Sequence, residues 1–197
     1  APAAQGPRAE GRLFAKLPVA PKGLERIQVP LTQRYPGTFG SGIAYDHRDR
    51  SYWLVTDGRL GNTRWRLYLL RVRVDGGKAK VTMALPLREG RKMLSGTELD
   101  PEGIALAPDG TLWLCDEKGP FLVHVSRQGW VLQRIRPSHL LSGRAVNRGL
   151  EGVAVSLDGR KIFTILQEAT GADDDRLNAV LAVYDLASIT WEQHCYQ

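Results

Sequence analysis

The chain is built from short apolar runs broken by polar turns. FLVHVS (121–126), WVLQRI (130–135), KVTMALPL (80–87) and AVLAVYDL (179–186) are only six to eight residues long and rich in β-branched residues, which predicts strands. In RWRLYLLRVRV (64–74), one alternate face carries Tyr68, Leu70, Val72 and Val74, and the other carries Trp65, Leu67 and Leu69. Both faces therefore hold apolar residues, as a sheet covered on both sides requires.

Three stretches repeat one pattern. SGIAYDHRDRSYWLVTD (41–57), EGIALAPDGTLWLCDE (102–117) and EGVAVSLDGRKIFTILQE (151–168) each read polar residue, Gly, β-branched residue, Ala, apolar residue. A polar turn and a second apolar run ending in an acid follow in each. The turns HRDR, APDG and SLDG predict a hairpin at the head of every unit. Two more strand-like runs follow each hairpin, the last being TWEQHCYQ (190–197), so a unit holds four strands.

The repeated glycines fall at 42, 103 and 152, slightly further apart than the roughly 40–50 residues of a four-stranded propeller blade, with the excess in loops. The predicted fold is all-β, a β-propeller-like array of about three four-stranded antiparallel blades, hence a partial propeller. LERIQVPL (24–31) is expected to add a strand of a further blade. Residues 1–23 are read as a flexible N-terminal segment and 24–197 as the propeller domain. An unclosed array leaves blade faces open to water or to another chain, so association of copies through the open blade edge is expected.

Composition narrows the classes. With 43% hydrophobic and 24% charged residues the chain is of ordinary globular type, and no apolar run approaches the roughly 20 residues that cross a bilayer. Twenty-seven basic against 21 acidic side chains allow anionic partners. The arginines are scattered rather than gathered into a tail, which argues against a nucleic-acid partner. Cys115 and Cys195 are too few for a disulfide scaffold, and stand as two free thiols or one bridge. The opening APAAQGPRAEG has the look of a processed or trimmed N-terminus, which fits an exported protein.

The order of SGIAYD with WLVTDGRLGNTRWRLYLL, then DPEGIALAPDGTLWLCDE, then NRGLEGVAVSLDGRKIFTILQE, resembles the phytase-like family named for the esterase-like activity of phytase. The likeness runs from about residue 24 to the C-terminus and covers the first part of such a domain. It implies a propeller-like hydrolase of phosphate or carboxylic esters, often secreted or periplasmic, acting on a small anionic ester with calcium as the expected ion.

If each unit's first strand starts at the propeller axis, Ser41, Glu102 and Glu151 face one channel mouth together. Carboxylates gathered there raise one another's pKa unless a cation neutralises them. Glu102 and Glu151, with the side-chain oxygen of Asn147, are then expected ligands for calcium, an ion that takes six to eight oxygens. Glu102, Glu151 and Arg148 are the expected catalytic groups, and Arg148, Arg59 and Arg64 the expected grip on the substrate's charge. Two readings stand for Asp57, Glu117 and Glu168: a second ring of metal ligands or a general base, or acids that bond the backbone amides of neighbouring loops. Asp100, just ahead of Glu102 and an apolar run, is out of place for a strand.

Other chemistry is less well supported. No Gly-x-Ser-x-Gly occurs, and His47, His124, His139 and His194 have no motif joining them to a serine. His124 reads as a core histidine bonded to backbone, Asp173 to Asp175 as a solvated loop, and Trp53, Trp113 and Phe163 as blade packing. A non-enzymatic propeller binding module and a calcium-dependent lactonase-like enzyme remain as alternatives to the ester hydrolase.

Overall fold

A computed structural model of the chain describes residues 38–58, 66–119, 121–137, 149–166 and 179–196. The expected strand at 24–31 lies outside them. In chain order the strands are β1 (Thr38–Asp46), β2 (Ser51–Asp57), β3 (Tyr68–Asp75), β4 (Lys78–Pro86), β5 (Arg88–Glu89), β6 (Lys92–Met93) and β7 (Pro101–Leu106). There follow β8 (Leu112–Asp116), β9 (Phe121–Val125), β10 (Val131–Ile135), β11 (Leu150–Val155), β12 (Lys161–Leu166), β13 (Ala179–Asp185) and β14 (Thr190–Tyr196). Among the described residues there is no helix.

β1–β4, β7–β10 and β11–β14 form three antiparallel sheets, each with its strands side by side in chain order, as the repeat predicts. A small hairpin, β5–β6, sits between the first and second and was not anticipated. The first strands of the three sheets lie next to one another, β1 against β7 and β7 against β11. Sheets that stack through their innermost strands are arranged as propeller blades are.

Glycine permits that approach. A Cβ at Gly42 would fall 2.6 Å from Ile104 N and 2.8 Å from Gly103 C, and one at Gly103 would fall 2.8 Å from Cys115 Sγ of its own sheet and 3.2 Å from Val153 N of the next. At Gly42 and Gly103 the next inner strand presses close, a contact that leaves little room for a side chain.

Apolar rows fill the two seams. Trp53, Val55 and Leu69 of the first sheet meet Ile104, Leu114 and Val123 of the second. Trp113, Cys115 and Leu122 of the second meet Leu150, Ile162, Ala182 and Tyr184 of the third. The first seam is also tied by charge. Asp46, fully buried, accepts hydrogen bonds from Arg127 Nη2 (2.8 Å) and Trp53 Nε1 (3.4 Å), and Arg48 Nη2 donates to Pro108 O (2.8 Å).

The hairpin turns explain their own residues. Asp49 accepts from Ser51 Oγ (2.7 Å), Asp109 from Thr111 N (2.8 Å), and Asp158 from Arg160 N (3.0 Å), so the turn aspartates are engaged in turn geometry. Gly110 and Gly159 close these turns at φ of 90° and 74°, whereas the first unit places Arg50 there at φ 56°. A side chain in that left-handed region costs roughly 1–2 kcal/mol. Arg50→Gly is therefore expected to stabilise the protein by about 1 kcal/mol, read as a higher urea midpoint with an unchanged slope.

Candidate functional site at the mouth of the inner strands

Each inner strand carries a β-bulge at the same place. The register passes from Phe39↔Thr56 to Gly42↔Val55 in the first sheet, from Pro101↔Asp116 to Gly103↔Cys115 in the second, and from Leu150↔Leu166 to Gly152↔Ile165 in the third. The unpaired residues include Ser41, Glu102 and Glu151. A bulge re-aims the side chain of its extra residue and bends the strand, which is how a glutamate comes to stand just ahead of an apolar strand.

Beside the second bulge the chain gathers acids. Asp57 from the end of β2, Asp100 from the turn before β7, and Glu102 each offer a carboxylate oxygen within 4.8 Å of the other two. The trio is held by backbone. Gly58 N–H donates to Asp100 Oδ1 (3.1 Å), and Asp100 N–H donates to Asp116 Oδ1 (2.6 Å). Asp116 also accepts from Gly119 N–H (2.7 Å), so this buried carboxylate fixes the Asp100 backbone and the following loop together.

The electrostatics follow from this crowding. Burial, and next the charges of Asp100, Glu151 and Asp57, push the Glu102 pKa up to about 7, against a hydrogen bond from Ser41 that lowers it. Asp100 is pushed up to about 6 by burial and by its neighbour Asp57. Burial raises Asp116, and it raises the Cys115 thiol, which also faces the charges of Glu102 and Glu151. Negative charge is concentrated here at a free-energy cost, and an added cation would relieve it.

The predicted site residues divide into three groups. Asp57 and Glu102 are brought together, and Glu151 lies near enough for its charge to act on Glu102 without joining the trio. Glu117 is buried, and its backbone N–H bonds to Asp100 O (3.0 Å). Asn147, Arg148, Arg59, Arg64 and Glu168 lie outside the described residues. Asp100 was missed as a ligand, although its misfit with strand propensity was the available signal. His124 differs from expectation: half-buried, it stacks on Trp113 at 4.4 Å and bonds the Thr111 hydroxyl (2.8 Å) instead of backbone. Cys115 is a buried free thiol.

The donor set is hard. Its atoms are carboxylate oxygens from three acids, with neither thiolate nor imidazole among them, a set that fits an oxygen-seeking divalent cation of the calcium, magnesium and manganese class. Asp57, Asp100 and Glu102 are the residues that would hold such an ion.

Stacked propeller-type sheets with a carboxylate-lined mouth define the class of protein. Within that class the family model described as phytase-like, esterase-like activity of phytase, matches residues 36–197, and the chain belongs to that family. An uncharacterized secreted protein of Arthroderma benhamiae is 28% identical over 127 aligned residues, covering 47% of this chain and 25% of that protein. Among solved structures, virginiamycin B lyase from Staphylococcus aureus is similar at 11% identity and a TM-score of 0.39, over 77% of this chain and 54% of the other. A streptogramin B lyase is similar at 14% identity and a TM-score of 0.41, over 79% and 54%. The chain thus spans a quarter of the secreted relative and about half of each lyase.

Proposed function

We propose that this chain forms the cation-binding part of an exported ester hydrolase that uses calcium to act on phosphate or carboxylic esters. Family membership supports the hydrolase, and the Asp57–Asp100–Glu102 trio is the single observation that carries the cation. Bound calcium supplies Lewis acidity toward a phosphoryl or carbonyl oxygen. Asp57, Asp100 and Glu102 hold the ion, and Asp116 keeps Asp100 in place through its backbone N–H. Glu151 stands beside the trio as the group to take a proton from an attacking water. The substrate's negative charge falls to Arg148, Arg59 and Arg64. Export accords with the secreted relative.

Terbium luminescence displaced by calcium tests the site directly. Asp57→Asn, Asp100→Asn and Glu102→Gln are each expected to weaken binding about tenfold or more, since a lost charged ligand costs above about 1.4 kcal/mol. Release of phosphate from phytate and cleavage of an aryl ester should both stop on chelation. A protein that binds terbium but cleaves neither ester would be a binding module. Absence of terbium binding would remove the cation altogether.

A further inference from the structure

The two seams between sheets carry equivalent positions and fill them differently. At the hairpin-turn end of the first seam, two guanidinium groups lie over the Trp53 ring, Arg71 at 5.1 Å and Arg127 at 5.5 Å from its centroid. Arg127 reaches across from the second sheet and donates to the buried Asp46 at 2.8 Å. One guanidinium is thus held by an aromatic ring and a carboxylate together, so that cation–π attraction and a charged hydrogen bond act on the same group.

The register identifies the counterparts one sheet on. Trp53 pairs with Ala44 and Arg71 as Trp113 pairs with Ala105 and His124, and His124 stacks on Trp113 where Arg71 lies over Trp53. Tyr45 and Leu106 are then equivalent, so Ala107 takes the place of Asp46. Val125 pairs with Leu112 as Tyr184 pairs with Ile162, which makes Leu186 the counterpart of Arg127. The ion pair of the first seam is therefore replaced by two smaller apolar side chains. A cavity of about 370 Å³ opens there, lined by Ala107, Trp113, His124 and Leu186, with Asp109 and Asp158 from the two hairpin turns.

The cavity keeps an aromatic wall and gains carboxylates, but it has lost its cation. No lysine or arginine is among the described residues that line it. Burial lowers the His124 pKa, against the charge of Asp109, and so keeps the ring neutral at pH 7. Arg48 of the first sheet is engaged by the carbonyls of Ala107 and Pro108. Asp109 and Asp158 accept their turn hydrogen bonds through Oδ1, and among the described residues Oδ2 of neither accepts one.

We propose that this cavity binds a guanidinium group brought by a ligand, held by the Trp113–His124 pair and by the charges of Asp109 and Asp158, in the place that Arg127 takes in the first seam. A guanidinium is flat, weakly hydrated and stacks on aromatic rings, which suits walls made by Trp113, Leu186 and Pro108 better than a compact ammonium does. The volume lies near the lower end of the range for small-molecule sites. The cavity sits at the end of β7 away from Glu102, so this site stands apart from the carboxylate mouth and from the hydrolase reading.

NMR titration with ethylguanidinium, read on the His124 ring proton as assigned by its loss in His124→Gln, should show a saturable shift with a Kd of about 1 mM. Ethylurea, similar in shape but uncharged, should leave the signal in place. Asp109→Asn and Asp158→Asn keep the turn acceptor and should each weaken binding about threefold or more. Leu186→Arg builds the first seam's arrangement into the second and should abolish binding with an unchanged circular dichroism spectrum. The tripeptide amide Gly-Arg-Gly separates two sources of the group: binding tighter than that of ethylguanidinium assigns the site to an arginine side chain of a partner polypeptide, and equal or weaker binding assigns it to a free small molecule. No saturable shift, an equal response to ethylurea, or binding that neither the aspartate substitutions nor Leu186→Arg disturb overturns the proposal.

Discussion

Replacing Glu102 by glutamine should raise stability when divalent cations are absent and lower it when calcium is present. The folded protein holds the Glu102 proton more tightly than the unfolded chain does, with a pKa of about 7 against an ordinary 4.5. The Glu102 contribution to stability is therefore fully present below pH 4.5, falls as pH rises through the window to about 7, and is lost above it. Glu102 is half-buried, so solvent screening reduces the loss to about 1–2 kcal/mol, or roughly 3–6 °C in Tm for a chain of this size. Glutamine, neutral at every pH, escapes it.

Calcium inverts the comparison. An ion at a hundred times its Kd stabilises the folded state by about 2.7 kcal/mol, and the variant loses most of that with its ligand. Thermal melts followed by circular dichroism at pH 5 and pH 8, with calcium or with chelator, give four conditions. At pH 5 without calcium the two proteins should melt alike, and at pH 8 the order of their Tm values should reverse on adding calcium. A variant less stable under every condition would mean that Glu102 serves packing instead of charge.

The second large effect concerns two glycines that the repeat makes equivalent. Gly42→Ala places a methyl group 2.6 Å from the Ile104 nitrogen, within a wall made of β7 backbone that no rotamer change can relieve. The first and second sheets must separate, at a cost of about 3 kcal/mol or more. Among the described residues, Gly152→Ala meets a single methyl group of Ile165 at 3.2 Å. The backbone entropy recovered by replacing a strand glycine, about 0.5–1 kcal/mol, offsets that contact, so stability should change by less than about 1 kcal/mol. Urea melts of the two variants compare them directly. Equal losses would show that backbone lies against Gly152 as β7 lies against Gly42.

The architecture was legible because it repeats. A single hairpin such as EGIALAPDGTLWLCDE is ambiguous, but three of them with turns at matched offsets fix both the strand order and the face each residue presents. The β5–β6 hairpin escaped because two residues per strand, Arg88–Glu89 and Lys92–Met93, carry no periodicity. At the mouth, Glu102 and Glu151 could be found because they recur, whereas Asp100 has no counterpart in the other units and joins the trio through its place in the turn before β7. The bulges were illegible too. An extra residue in a strand leaves no compositional mark, and only the register Pro101↔Asp116, Gly103↔Cys115 reveals that Glu102 is skipped.

That skipped residue has an evolutionary consequence. Residues within the ladder are constrained by cross-strand neighbours and by the core, so exchanging them disturbs folding. Ser41, Glu102 and Glu151 stand outside the ladder, and their identities can drift from hydroxyl to carboxylate while the sheets keep their register. New ligand preferences can thus arise at the rim one blade at a time, with the scaffold beneath them left intact.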